Sequence, residues 1–482
     1  MKSTLLSQAD SYVESGAFFE DLRRLVSYPT VSGSPEGERA IHDYLTDILT
    51  PALLDLGCSI ERHDNWNGGR NSFLVGTRHE DPNLPTVLCY GHADVVNGLE
   101  DSWSSGRSPW EVVEEAGNYY GRGTADNKGQ HWINLIALRL LITAQGRLGF
   151  NLKFLFECGE EIGSPDLLEF VRTNVESLSA DLLIVSDGPR IDADTPTVIL
   201  GARGLLDITA SVDLRPSSYH SGNWGGLLRN PATVLAAAIS SMVDGDGRLL
   251  LPELLPTGGI PSEVREMLNQ VTIRQGPNDP AIDISWGDQT LTPAEKLYGW
   301  NTLEVLALGA ADIDRPINAI PGTAKAALQL RFVVGTELAN IVPAIRRHLD
   351  QNGFSQVQIQ TGLSFPAART DVASPWVSWV RDSIQRTTGT TPVVLPSLGG
   401  SGPAYIFDSI LKLPAFLVPH SYPGCLQHAP DEHMPVSIAR QGLQIATGLF
   451  YDLAHEVPDL LSDSTTGSAR NSYLHHTGAT NE

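Results

Sequence analysis

Apolar positions along the chain change period several times, and each change marks a change of element. From Glu36 to Leu56 they recur at Ile41, Leu45, Ile48 and Leu49, the spacing of a helix with one buried face. Thr86 to Tyr90 is instead a short apolar run, as are Leu152 to Phe156 and Leu182 to Val185, and such runs read as strands covered on both sides. The strongly apolar segment Trp132 to Leu141, between the first two runs, reads as a helix. This alternation predicts βαβ units, with helices on both faces of a mostly parallel sheet. Gly117 and Asn118, between the β-prone runs of Val112 to Tyr120, predict a hairpin inserted beside that sheet.

Past about Thr209 the pattern breaks. Asp207 to Asp213 alternates as a strand, Asn230 to Met242 reads as a helix, Ala326 to Val334 alternates again, and Ala339 to Leu349 is helical. From Pro375 the earlier order resumes, with strands expected at Val393 to Leu395 and Ala415 to Val418. The expected organisation is an α/β catalytic domain in two parts, 1–208 and 370–462, with a smaller α+β domain inserted at 209–369. Gly258 to Asp283 shows no pattern that places it. Residues 463–482, rich in Ser, Thr, Gly and Asn, read as a tail, and His475 and His476 within it carry no expected role.

Composition narrows the classes of function. With 482 residues, 41% of them hydrophobic and 18% charged, the chain can bury two or three cores. Its formal net charge of −23 would repel phosphates, which argues against nucleic acid as a partner. Lys2, Asp10 and Glu14 interrupt the first residues and no run approaches the roughly 18 apolar residues of a span, so neither a signal peptide nor a membrane segment is expected. Cys58, Cys89, Cys158 and Cys425 are too scattered for a disulfide framework, which points to a reducing cytoplasm.

Parallel strands deliver their carboxyl ends to one edge of a sheet, the usual functional rim of such folds. His92 and Asp94 follow the first predicted strand, Glu160 and Glu161 the second, and Asp187 the third. Asp126 lies among Gly121, Gly123 and Gly129, and His428 completes the set. A dinuclear hydrolytic site needs this chemistry: histidine nitrogen, carboxylate oxygen, and a carboxylate shared between the ions. Each cluster alone also fits a satisfied histidine, a solvated turn or a tight glycine connection. Their convergence on one edge is what points to a metal site, while the absence of GxxxxGK[ST] argues against a phosphate-cradling loop.

The ordered motifs LCYGHADVV, YGRGTADNKG, FECGEEIGS, VSDG and HAPDE resemble those of the co-catalytic metallopeptidases. That family includes glutamate carboxypeptidase, acetylornithine deacetylase, succinyl-diaminopimelate desuccinylase, aminoacylase and carnosine dipeptidase. Arg203-Gly204, HSGNWGG at 220–226 and GGSGP at 399–403 extend the match, which runs from SYPTVSG at 27–33 through His428. The resemblance implies that His92 and Asp187 hold one divalent ion, Glu161 and His428 the other, and Asp126 bridges them, with a cis peptide before Asn127. It implies that Asp94 orients His92 through its far nitrogen, and that Glu160 is general base toward a metal-bridging hydroxide attacking an amide carbonyl. The inserted domain would then be a lid through which two copies form a homodimer, with His220 reaching the partner's site to steady the oxyanion. Arg331 would receive a substrate carboxylate, helped by Gly399, Gly400 and Ser401, and Asn318 would assist His220. Zinc suits the mixed ligands, and cobalt or manganese is also admitted.

Within the family, aspartate at the position of Asp187 favours the dipeptidase and aminopeptidase branches, whereas deacylases and carboxypeptidases tend to carry glutamate there. A dipeptidase acting on small peptides is therefore the leading expectation, and an N-acyl amino acid amidohydrolase with the same metal core the alternative. A non-catalytic scaffold would need a key group missing, and none of the six central residues is. Asp431 for asparagine, Gly402 for an aliphatic residue and ADN for DDK or DMK depart from the common pattern, and these departures bear on substrate identity.

Overall fold

The computed structural model describes residues 1–69, 71–104, 106–273 and 280–456. The tail expected at 463–482 lies outside the described residues. Contacts divide the chain into two units: Met1–Val198 with Asp371–Val393 and the segment from Ile410 onward, and Ile199–Thr370 with Val394–Ser409.

The first unit is built on the predicted sheet. Strand Thr86–His92 runs parallel to both Asn151–Glu157 and Leu182–Val185, and Leu182–Val185 runs parallel to Ala415–Leu417. These strands are almost wholly buried, as their unbroken apolar runs require. Helix Lys128–Gln145 packs on helix Val436–His455, and Lys2–Glu14 and Pro375–Thr388 pack on the latter. The hairpin expected near Gly117 is present as Val113–Glu115 and Asn118–Tyr120. Two antiparallel strands, Ser59–His63 and Phe73–Arg78, extend one edge of the sheet without having been predicted. The outer one, SIERH, is half exposed and carries no alternating apolar signal. The helix read from Glu36 to Leu56 is Pro35–Tyr44 and Thr50–Asp55, joined by a π turn at Leu45–Leu49. That wider turn falls beside Pro51, which has no N–H to donate.

The second unit is an α+β layer pair. Its sheet has the order Thr302–Gly309, Thr323–Phe332, Gly204–Asp213, Val357–Phe365, all antiparallel. Ile208, Ala210 and Val212 alternate toward one face, where they join Ala324, Ala326, Leu328 and Leu330 in a core shared with Leu235, Ile341 and Ile345 of two helices. Asn230 caps the first of these, Pro231–Ser240, through its side chain on the Ala232 N–H. Val394–Ser409, read from sequence as part of the catalytic domain, belongs to this unit. The Arg203 guanidinium donates to the Gly399 carbonyl and the Ser397 hydroxyl to the Tyr298 carbonyl, so polar side chains fasten the segment to this unit. Within Gly258 to Asp283 the structure has a helix, Ser262–Leu268, while 274–279 lie outside the described residues. No helix among the described residues is long and apolar enough to cross a membrane.

Candidate metal centre

The first unit's parallel strands end together and present their following residues side by side. His92 is the last residue of its strand, Glu160 and Glu161 open a 3-10 turn after Asn151–Glu157, and Asp187 lies two residues past Leu182–Val185. Asp126 precedes helix Lys128–Gln145, across a cis peptide to Asn127. His428 stands on a loop with a φ of 63°.

Asp126 offers one carboxylate oxygen to each histidine. Its Oδ1 lies 3.1 Å from His92 Nε2 and its Oδ2 lies 3.1 Å from His428 Nε2. Asp187 Oδ2 is 3.9 Å from the same nitrogen of His92, and Glu161 Oε2 is 3.0 Å from that of His428. Two groups of donors result, His92 with Asp126 and Asp187, and Glu161 with Asp126 and His428, each with its ligand atoms within 4.8 Å of one another. Asp126 belongs to both.

The electrostatics fit a pair of dications. Burial raises the Glu161 carboxyl to about 7, with the Asp126 charge next in effect. Burial also pushes Glu160 well above the usual carboxylate range, and Asp187, Glu161 and Asp126 add to it despite His92. Burial raises Asp187 as well. His428 is driven up to about 11 by its hydrogen bonds to Asp126 and then Glu161. Acidic groups this close ionise together only if positive charge is supplied. Glu161 Oε1 is buried without a hydrogen-bond partner among the described residues. Histidine and carboxylate donors of this kind suit zinc.

The family model for peptidase family M20/M25/M40 matches residues 88–452, which contain every one of these donors. The chain belongs to that family. Among its relatives, the cysteinylglycine-S-conjugate dipeptidase of Corynebacterium striatum is 26% identical over 393 residues, covering 80% of this chain and 84% of the relative. The beta-Ala-His dipeptidase of Rattus norvegicus is 26% identical over 415 residues, covering 83% of each chain. Among solved structures, human carnosine dipeptidase 1 superposes with a TM-score of 0.71 at 21% identity, over 94% of this chain and 100% of that one. This M20-family chain is thus an enzyme that hydrolyses peptide amide bonds with metal ions, its dinuclear donor set complete.

The structure gives Asp94 a larger part than its resemblance implied. Its Oδ1 lies 3.4 Å from His92 Nδ1, which is closer, at 3.1 Å, to the Asp94 backbone carbonyl. The two carboxylate oxygens accept instead from the backbone N–H groups of Glu160 and Glu161, at 3.2 and 3.1 Å. Asp94 therefore holds the glutamate turn as much as the histidine. Glu432, quoted in HAPDE but given no role, accepts from the N–H groups of Gly123, Ala125 and Asp126, each at 3.0 Å, and from Arg122 at 2.6 Å. Asn127 donates to the Ser186 carbonyl at 2.8 Å, tying the Asp126 loop to the residue before Asp187. The glycines of that loop have work to do: Gly123 has a φ of 89°, and a Cβ on Gly129 would sit 2.1 Å from the Thr124 carbonyl oxygen.

The remaining predicted residues lie in the second unit. His220 is exposed, pairs through its backbone with Ala319, and accepts the Gly222 N–H on Nδ1 at 3.1 Å. The Ser221 N–H bonds the Asn318 carbonyl, which brings His220 and Asn318 to one place. Arg331 donates to the Ser401 hydroxyl at 3.2 Å, which brings those two predicted residues together, and the Gly399 carbonyl accepts two bonds from Arg203.

Proposed function

We propose that this chain is a zinc-dependent dipeptidase in which His92 and Asp187 hold one ion, Glu161 and His428 the other, and Asp126 bridges them. The observation that carries the reading is Asp126 with one oxygen turned to each histidine. The two ions, when bound, would activate the attacking water and polarise the scissile carbonyl. Glu160, buried beside the donors, accepts the water's proton and returns it to the leaving amine. Asp94 sets the turn so that Glu160 and Glu161 diverge, one to the proton and one to the metal. Arg331 receives the substrate carboxylate, with Gly399, Gly400 and Ser401 beside it. Dipeptides are favoured over N-acyl amino acids because relatives matching most of the chain are named for dipeptides and because aspartate stands at position 187.

A homodimer through the second unit completes the proposal, with His220 and Asn318 serving the partner's site. The unit leaves Val305, Leu306 and Leu308 exposed on its edge strand, and Leu227, 76% exposed, near Trp224. An edge strand with bare apolar side chains invites pairing with a second copy. The cytoplasm is the compartment proposed, since four buried free thiols suit a reducing medium. The test is parallel hydrolysis of unblocked dipeptides and N-acyl amino acids by protein loaded with zinc, cobalt or manganese. Dipeptide hydrolysis is expected to dominate, and preference for the N-acyl series would replace this reading with a deacylase.

A further inference from the structure

The loop that carries His428 turns through three left-handed residues that are not glycine: Leu426, His428 and Asp431 have φ of 57°, 63° and 60°. Leucine in particular resists that region, so the loop keeps its course only where something outside it holds it. Gln427 bonds Asp126, and His428 bonds Asp126 and Glu161. Among the described residues, Asp431 is the one member of 427–431 whose side chain reaches protein beyond the proposed donors.

Asp431 reaches a neighbouring loop of the same unit. Its Oδ1 accepts the Ser104 N–H at 3.1 Å and meets Arg107 Nη1 at the same distance, and its Oδ2 accepts the Ser104 hydroxyl. Partial burial opposes ionisation, but the Ser104 bonds and the Arg107 charge hold this carboxyl below the usual range, so it is an anion at neutral pH. Arg107 is itself pinned. Its Nη2 and Nε donate to Glu115 Oε2 at 2.7 and 3.2 Å, and its guanidinium carbon stands 3.6 Å from the centre of the Tyr120 ring. Glu115 and Tyr120 lie on the two hairpin strands, and the strand of Tyr120 pairs in turn with His433–Pro435. Asp431 thus ties the His428 loop to a three-stranded sheet. The other donor group needs no such tie. His92, 1% exposed, ends a buried strand and Asp187 follows another, whereas His428 is 56% exposed and depends on its loop.

We propose that Asp431 is a positioning residue for one metal site alone: through Ser104 and Arg107 it holds His428 where its Nε2 meets Asp126 and Glu161, and so sets the affinity of the Glu161–His428 site without touching that of the His92–Asp187 site. The inference rests on the reading that Glu161 and His428 hold the second ion.

The experiment titrates the metal-free full chain with zinc against a chelating indicator, which reads two dissociation constants, beside thermal unfolding without metal and hydrogen exchange at 425–433. Asp431→Ala should weaken one constant about tenfold or more, the usual effect of removing a group that orients a ligand, and leave the other unchanged. The metal-free Tm should barely move, because a partly exposed ion pair adds little to stability, while exchange at 425–433 quickens. Asp431→Asn keeps an acceptor for Ser104 and tolerates a φ of 60°, so it should recover most of the loss. Alanine sits poorly at that φ, and a double variant, Ser104→Ala with Arg107→Ala, therefore removes the partners and leaves position 431 untouched. It should weaken the same constant. The positioning role is overturned if Asp431→Ala keeps both constants, if both weaken together with a fall in Tm, or if the double variant binds zinc as the wild type does. His428→Ala separates this role from the ligand assignment beneath it. If His428→Ala loses one ion while Asp431→Ala binds as the wild type does, only the positioning role fails. If His428→Ala keeps both ions, the ligand assignment fails and takes the positioning role with it.

Discussion

Glu432 is the residue whose removal tests the architecture of the metal centre most directly. Its side chain and that of Arg122 are both fully buried, and their ion pair closes at 2.6 Å. One carboxylate oxygen collects three backbone N–H groups from the turn that ends in Asp126. Its own carbonyl accepts the Gly121 N–H at 2.9 Å, so the segment bearing His428 and the loop bearing Asp126 are joined at several points. Glu432→Ala would strand a buried guanidinium and three donors. Breaking a buried pair from one side costs about 3–5 kcal/mol, and partial rehydration through the vacated space keeps the backbone groups from adding their full penalty. For a cooperative unit of roughly 250–300 residues that loss lowers Tm by about 5–10 °C. Glu432→Gln keeps an acceptor for the N–H groups and loses only the charge facing Arg122, so its shift should be less than half as large. The assay is thermal unfolding of both variants with and without zinc, with metal content measured after gel filtration. Alanine should also reduce zinc content, since Asp126 is no longer held. An alanine variant that melts with the wild type and keeps two zinc ions would show that the loop holds itself and that this reasoning is wrong.

Glu161→Ala removes a donor from one group alone and should reduce tightly bound metal from two ions to one per chain, measured by elemental analysis, with kcat falling about 1000-fold or more. His220→Ala should keep both ions, since His220 belongs to neither group, while lowering kcat about 100-fold through loss of oxyanion stabilisation. Mixing that variant with Glu160→Ala, with subunit exchange verified by distinct tags, should restore activity in up to half the sites of the heterodimer, and a mixture that stays dead would remove the crossing role. Metal binding should weaken as pH falls: Glu161, raised to about 7 by burial, and His428, held protonated by its bonds to Asp126 and Glu161, must both lose their protons to coordinate, so acid competes with zinc increasingly as Glu161 too becomes protonated. Titration in buffers of different ionisation enthalpy should show proton release that grows from pH 8 to pH 6.

The buried part of the fold was legible because burial on both faces leaves an unmistakable trace. Leu152–Phe156 and Leu182–Val185 lie in strands with almost no exposed position, so their apolar runs had one reading. Ser59–His63, Thr302–Gly309 and Val357–Phe365 escaped for the opposite reason. Each has at least one face in solvent, and Thr302–Gly309 exposes every residue from Glu304 onward, so its side chains do not report its backbone pairing. The assignment of Val394–Ser409 to the second unit was hidden for a related reason. Arg203 and Ser397 hold that segment through backbone carbonyls, which every residue possesses and no residue type announces.

The same distinction runs through the metal centre. The proposed ligands declare themselves by residue type, and all five stand where parallel strands and their connecting loops meet. The groups that place those ligands are their chain neighbours or lie a few residues away, and they act on other clusters. Asp94, two residues from His92, bonds the N–H groups of Glu160 and Glu161; Asn127, next to Asp126, bonds the carbonyl before Asp187; Glu432, four residues from His428, bonds the loop of Asp126. Three of the five clusters thus carry both a proposed ligand for the metal and a polar group that fixes the position of another cluster. A motif reading sees the two types together and has no means to say which does which, since carboxylate and amide serve either task. The cross-bonds also explain why ligands scattered from 92 to 428 can form one centre before any ion arrives: displacing one cluster breaks hydrogen bonds to a second, and the donors converge as a set.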